Sequence, residues 1–219
     1  MSTLAWEPGS FFIRSSHYPC AFERANEYAL RKLERELPSH LRYHCLAHTK
    51  DDVVPAVERF AALEGVRNES LELVRTAAYY HDIGFIRQIH NHEETSARIA
   101  QTTLPGFGFN PHQVAQVVNM IQATQIPQSP HNLLEAILAD ADLDLLGRAD
   151  FWTRNQALRE ELFAAGCFIT DVYWYTNQLH FLTQHSYFTN AARLLRGPRK
   201  QQHLAEMAER LTCAQHTAI

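Results

Sequence analysis

At 219 residues, 46% of them hydrophobic and 20% charged, the chain has enough material for one full core and the balance of an ordinary globular protein. Its net charge of −4 supplies no basic field along which a DNA or RNA backbone could lie, so no nucleic-acid polymer is expected as a partner. No apolar run approaches the roughly 20 residues of a membrane span, and the opening MSTLAWEPGSFF lacks the basic-then-apolar order of a signal peptide, so no membrane contact and a cytoplasmic location are expected.

Periodicity predicts helices almost throughout, with glycine sparse and proline mostly between periodic segments. Phe22, Ala25, Ala29, Leu30 and Leu33 recur at three- and four-residue intervals, which predicts a helix from Ala21 to Leu37, ended by Pro38-Ser39. A second helix is expected from Leu46 or Thr49 to Glu64, with Thr49 and Asp52 as a capping box, Pro55 in its first turns and Gly65 as terminator. Further helices follow over Glu69–Ile83, Glu93–Leu104, Pro111–Thr124 and His131–Leu146. The remainder predicts helices over Asp150–Ala165, Asp171–His185, Asn190–Leu195 and Gln201–Cys213. There is no internal repeat and no long linker, so the reading is a single all-α domain over residues 1–219. The four cysteines (Cys20, Cys45, Cys167 and Cys213) form no CxxC pair and read as free thiols.

Three stretches break the helical pattern chemically. In AAYYHDIGF (77–85), His81 and Asp82 sit inside an apolar run; continuing the stripe Leu71, Val74, Ala78 turns both side chains toward the core. An ionised carboxylate there is costly unless something positive meets it. The dipeptide alone is weak, since chance supplies roughly half of one in a chain of this composition. In LLEAILADADLDLL (133–146), Asp140, Asp142 and Asp144 alternate within an apolar helix whose buried face is Leu134, Ile137, Leu138, Ala141 and Leu145. Successive acids lie about 200° apart: Asp142 falls at the edge of that face, Asp140 farther toward the opposite side, and Asp144 is left open. In YHCLAHT (43–49), His44 and His48 are four apart and share a face if helical. Two imidazoles and two carboxylates from three helices (His48, His81, Asp82, Asp142) would suit Mn, Fe, Co, Ni, Zn or Mg, and the lack of thiolates argues against a structural cysteine-type zinc site.

The order of YHxxxHT, AAYYHDIGF and LADADLDLLG resembles the HD superfamily of metal-dependent phosphohydrolases over about residues 41–148. HTKDDVVPAVERFAALEGV, NHEETSARIAQTTLP and the ATxxP of 123–127 are similar to a bacterial branch of stand-alone HD proteins. The resemblance implies an HD-type helical core, flanking helices at both ends with the C-terminal extension at about 150–219, and metal ligands His48, His81, Asp82 and Asp142. It selects Asp142 over Asp140 because the superfamily's last acid follows a small residue and precedes a hydrophobic or basic one. It also implies a role for His92, near a second metal or the leaving phosphate. Binuclear sites carry a further His before the final Asp, and only His112 and His131 stand there, neither in a matching motif.

The expected function is therefore hydrolysis of a phosphate ester of a nucleotide or small phosphorylated metabolite. One divalent ion would activate water, with a second ion as an open alternative, Asp82 steering the nucleophile and His92 protonating the leaving oxygen. Lys50 and Arg87 are candidate phosphate contacts, against the plainer reading of solvated surface charges. His44 reads as a residue that orients a ligand. RLLRGPRK (193–200) reads as a solvated face rather than a pocket cover, and YWYTNQLHF (173–181) as core packing. Two alternatives use the same cage: an HD-type di-iron oxygenase, which needs His92 plus His112 or His131 to converge, and a catalytically silent metal-bound sensor. Nothing in the sequence constrains homo-oligomer formation.

Overall fold

Helix α3 (Asn68–Tyr80) is the element around which the core is laid, because its inward stripe is small. Val74, Ala77 and Ala78 are fully buried, and α1 (Ala21–Glu36), α2 (Val54–Leu63), α5 (Pro111–Gln122) and α6 (Leu133–Asp142) all pack against this helix. The computed structural model describes residues 20–217, so the MSTLAWEPGSFF stretch lies outside the described residues. Among the described residues there are nine α-helices and no strand, and the four cysteines are free thiols.

The first helix forms as its spacing predicts: Ala25, Ala29 and Leu33 are buried along one face. The second does not. Residues His48–Val53 form a wider π-helical turn, closed by Val54 N–H on the carbonyl of Thr49, and only then does α2 run to Leu63. Pro55 has no N–H to give and its ring crowds the carbonyl four residues back, which a wider turn relieves. Thr49 and Asp52 form no capping box; Thr49 is buried, and the Asp52 carboxylate binds Arg148 at 2.6 Å and also Arg154.

Helix α3 stops at Tyr80 rather than Ile83, and the chain tightens into a 3-10 turn over Ile83–Ile86. Gly84 permits the next step: a Cβ there would lie 2.0 Å from the carbonyl oxygen of His92, so only glycine lets the start of α4 (His92–Thr103) press against this turn. Gly84 N–H donates to Ser96 Oγ at 2.8 Å and fixes the contact. Helix α6 likewise ends early, at Asp142, and a 3-10 turn follows over Asp144–Gly147.

Beyond it come α7 (Phe151–Ala164), α8 (Asp171–Gln184) and α9 (Asn190–Thr217). The two predicted C-terminal helices are one, running through Gly197-Pro198. Ties on both sides of the proline anchor it: Arg196 to Asp144 at 2.5 Å, Lys200 to the carbonyl of His185, and His203 to the carbonyl of Leu146 at 2.9 Å. RLLRGPRK is a solvated face only in part: Arg193, Leu194, Leu195 and Arg199 are exposed, whereas Lys200 is buried and the Arg193 guanidinium donates to the carbonyls of Tyr187 and Phe188. Phe151, Leu182, Ala192 and Met207 from these last helices join the same hydrophobic core as α1–α6.

Candidate metal centre

Three irregular points in the backbone deliver the chemistry. His48 opens the π-helical turn, His81 and Asp82 form the step from α3 into its 3-10 turn, and Asp142 is the last residue of α6. His81 and Asp82 therefore do not lie on either side of a helical stripe as predicted; they sit just past the helix, and both are buried all the same. His48 Nε2 approaches Asp142 Oδ1 to 3.2 Å and Asp82 Oδ2 to 3.6 Å. His81 Nε2 lies 3.4 Å from Asp142 Oδ1 and 3.3 Å from Asp82 Oδ2.

The donor set fits a cation. His81 Nδ1 donates to the carbonyl of Ala78 at 2.7 Å, which leaves the Nε2 lone pair facing the carboxylates. His81 Nε2 and Asp82 Oδ2 are both buried without a hydrogen-bond partner, a costly state for two acceptors unless a positive charge sits between them. Metal–ligand bonds of about 2.0–2.2 Å place neighbouring donors about 3.0–3.5 Å apart, the spacing seen here. The nearest donor atoms of His48, His81 and Asp142 all lie within 4.8 Å of one another, as holding an ion requires.

Protonation tells the same story. Burial opposes charge on His48, but the Asp142 and Asp52 carboxylates outweigh it and raise its pKa to about 9. His81 is likewise pushed well up, against its burial, by Asp82 and Asp142. Burial would raise Asp82 and Asp142, yet the imidazoles hold both carboxyls well below the usual range. Clustered carboxylates demand positive charge, and ion binding would have to displace the protons that otherwise supply it.

The three alternating acids have three separate partners. Asp142 faces the imidazoles. Asp140, fully buried, accepts from Phe188 N–H at 2.9 Å and from the N–H and hydroxyl of Thr189 at 2.7 Å each, securing the start of α9. Asp144 is buried and pairs with Arg196. The expectation that Asp140 sits toward the opposite, outer side is thus corrected: Phe188 and Thr189, just before α9, cover its carboxylate.

His92 reaches the edge of the group, its Nε2 3.3 Å from Asp82 Oδ1 and its Nδ1 donating to the carbonyl of Ile89 at 3.2 Å. Burial works against its charge, and Asp82 outweighs this and raises its pKa. Phe85 is stacked between His92 and His44, with ring centroids 4.0 and 4.2 Å away. His44 Nδ1 in turn lies 2.5 Å from Glu161 Oε1, while Glu161 Oε2 accepts from the backbone N–H groups of Tyr43 and His44. Sequence reasoning missed Glu161, whose only signal is an acid within a predicted helix, and missed Phe85 as the spacer between two imidazoles.

These residues open onto a cleft of about 390 Å³. Its metal side is His44, Asp82, His92, Glu93 and Asp142; its far side is Asn155 and Leu158 of α7 and Asn177, Gln178 and Phe181 of α8. The aromatic stretch 173–181 therefore divides, with Trp174 in the core and its C-terminal half on the cleft. Lys50 and Arg87 are exposed and do not line the cleft, nor do His112 and His131, which are also exposed.

The family model of the HD domain matches residues 39–144. Neither the comparison with curated proteins nor that with solved structures found a match. The matched segment contains His48, His81, Asp82 and Asp142, and the helices outside it, α1 on one side and α7–α9 on the other, flank that core. Residues 39–144 are thus an HD domain, the domain that defines the HD superfamily.

Proposed function

We propose that the protein hydrolyses a phosphate ester of a small metabolite or nucleotide, with a divalent ion held by His48, His81, Asp82 and Asp142. The observation that carries this reading is the pair of buried, unpartnered acceptors, His81 Nε2 and Asp82 Oδ2, facing each other at 3.3 Å inside an HD domain. An ion bound there supplies a Lewis acid for a phosphoryl oxygen and acidifies a water. Asp82 spans two roles: Oδ2 belongs to the ligand group, while Oδ1 faces His92 and is placed to orient the attacking water. His92 has one ring nitrogen committed to Ile89, so only Nε2 is available at the cleft to protonate the leaving oxygen as the P–O bond breaks.

The shared hydrophobic core supports treating the described residues, 20–217, as one domain. Among the described residues no helix is long and apolar enough to cross a membrane; a cytoplasmic enzyme acting on small molecules accords with that. The exposed His112 and His131 give the oxygenase alternative no further imidazole at the cleft.

The test is a screen of phosphorylated metabolites with Mn, Fe, Co, Ni, Zn and Mg, alongside elemental analysis of the purified protein. Wild type should release phosphate from at least one compound, and His81→Ala and Asp82→Ala should lose both bound metal and turnover. Wild-type rates in either variant, or in chelator-treated protein, would refute the scheme.

A further inference from the structure

Helices α7 and α8 lie outside the HD segment, yet they supply Phe151, Asn155, Leu158, Asn177, Gln178 and Phe181 to the cleft that holds Asp82 and Asp142. A relay of side chains with only one consistent polarity runs through these two helices. Trp174 Nε1 can only donate, and it donates to Asn155 at 3.2 Å, which fixes that atom as the Asn155 carbonyl oxygen. The Asn155 amide nitrogen must then face Gln178, and it donates to Gln178 Oε1 at 2.5 Å. Gln178 is thereby turned so that its NH₂ group is the end with no partner among the described residues. Trp174 and Asn155 are both buried, so the relay is held by the core rather than by solvent.

We propose that Gln178 is a specificity residue of the cleft, donating from its NH₂ group to a hydrogen-bond acceptor on the uncharged, ring-bearing part of a phosphate monoester. This rests on the phosphohydrolase reading above and narrows it. Phe151, Phe181, Leu143, Leu146 and Leu158 supply apolar wall beside Gln178, suited to a flat ring rather than a polyhydroxylated chain. Among the described residues, no Lys or Arg lines the cleft, whereas Asp82, Glu93 and Asp142 do. Arg148 and Arg154 are bound to Asp52, and Arg159 of α7 is bound to Asp171. One phosphoryl group can be balanced by a divalent ion; the further charges of a triphosphate would find only carboxylates. The cleft volume of about 390 Å³ lies toward the small end for ligand sites.

The probes are uridine 5′-monophosphate, uridine 5′-triphosphate and phenyl phosphate, which has the ring and the phosphate but no acceptor on the ring. Each is titrated calorimetrically into the metal-loaded full chain, and phosphate release is measured in parallel. Wild type should bind the monophosphate at least tenfold more tightly than the triphosphate. Gln178→Met, which keeps length and packing and removes the donor, should weaken monophosphate binding about tenfold and leave phenyl phosphate within twofold. Trp174→Phe, which frees the relay to turn over, should weaken the monophosphate about two- to threefold, also without effect on phenyl phosphate.

Equal monophosphate affinity in wild type and Gln178→Met overturns the proposal, as does equal weakening for both monoesters, tighter binding of the triphosphate, or no binding of any probe. Absent phosphate release with Gln178-dependent binding would leave this inference standing and remove the hydrolase reading. Phosphate release indifferent to residue 178 would do the reverse.

Discussion

The cleft brings together two walls of different chemistry. The HD-core wall gathers His44, Asp82, His92, Glu93 and Asp142, and its buried acceptors face one another without partners. The wall from α7 and α8 is neutral, with amides and apolar side chains whose hydrogen bonds are largely made within the chain. A site that must hold a cation has to leave donor atoms unsatisfied, and the fold bears that cost only where backbone turns, not side-chain flexibility, set the distances. A recognition surface needs no such tension, because ordinary core packing is enough to orient an amide. Stability and reactivity are thus expected to separate along this line, most sharply where both occur within a single helix.

Helix α6 provides that case. Asp142→Ala removes a candidate ligand, so bound metal and turnover per folded molecule should fall by at least about a hundredfold. Asp140→Ala should behave inversely. It strands two backbone N–H groups and one hydroxyl at the start of α9, which costs about 3 kcal/mol of unfolding free energy, while metal content per folded molecule is unchanged. Elemental analysis and denaturant melts on the two proteins decide the matter. Parallel losses of metal in both variants would erase the distinction between a ligand acid and a packing acid.

Glu161 lies between the two walls, as an α7 carboxylate that holds a residue of the HD core. Burial would raise its pKa above the usual 4.5, but the His44 imidazole and the backbone N–H groups of Tyr43 and His44 outweigh that and lower it. A depressed folded-state value means the carboxylate favours the folded state fully above pH 4.5, and this contribution fades as pH falls from there toward the folded-state value. Wild type should therefore lose more stability than Glu161→Gln as pH falls below 4.5. Urea melts across that range measure it, and parallel pH profiles would show that the Glu161–His44 contact does not hold the two walls together.

How much of this was visible in the linear chain follows from the same contrast. Metal ligands must be particular residue types at particular points, so His48, His81, Asp82 and Asp142 stand out against apolar surroundings. Their backbone setting did not: Pro55 and Gly84 signal irregularity, but a π-helical turn and an early helix end depend on what packs against them. The helix through Gly197-Pro198 was hidden because Arg196, Lys200 and His203 find partners far away in sequence. Glu161, Asn155 and Gln178 were illegible for a plainer reason. An acid or amide on a predicted helix looks the same whether it meets water or a cleft, and only the fold determines which.

The smallest expected effect concerns the two cations singled out beside the ligand segments. Lys50 follows the buried Thr49 but points outward, and Arg87, at the end of the 3-10 turn after Asp82, is exposed and placed to act on Glu36 of α1. Neither shares the cleft with Asp82 or Asp142. A charge in contact with solvent is screened within about 8 Å at physiological salt, so neither should contribute to phosphate affinity. Lys50→Ala and Arg87→Ala should leave kcat and KM within about twofold of wild type, and stability within about 0.5 kcal/mol. A KM rise of tenfold in either variant would mean the substrate's anionic end extends past the cleft and over the rim of the HD core. The neutral wall would then no longer account for which phosphate esters fit.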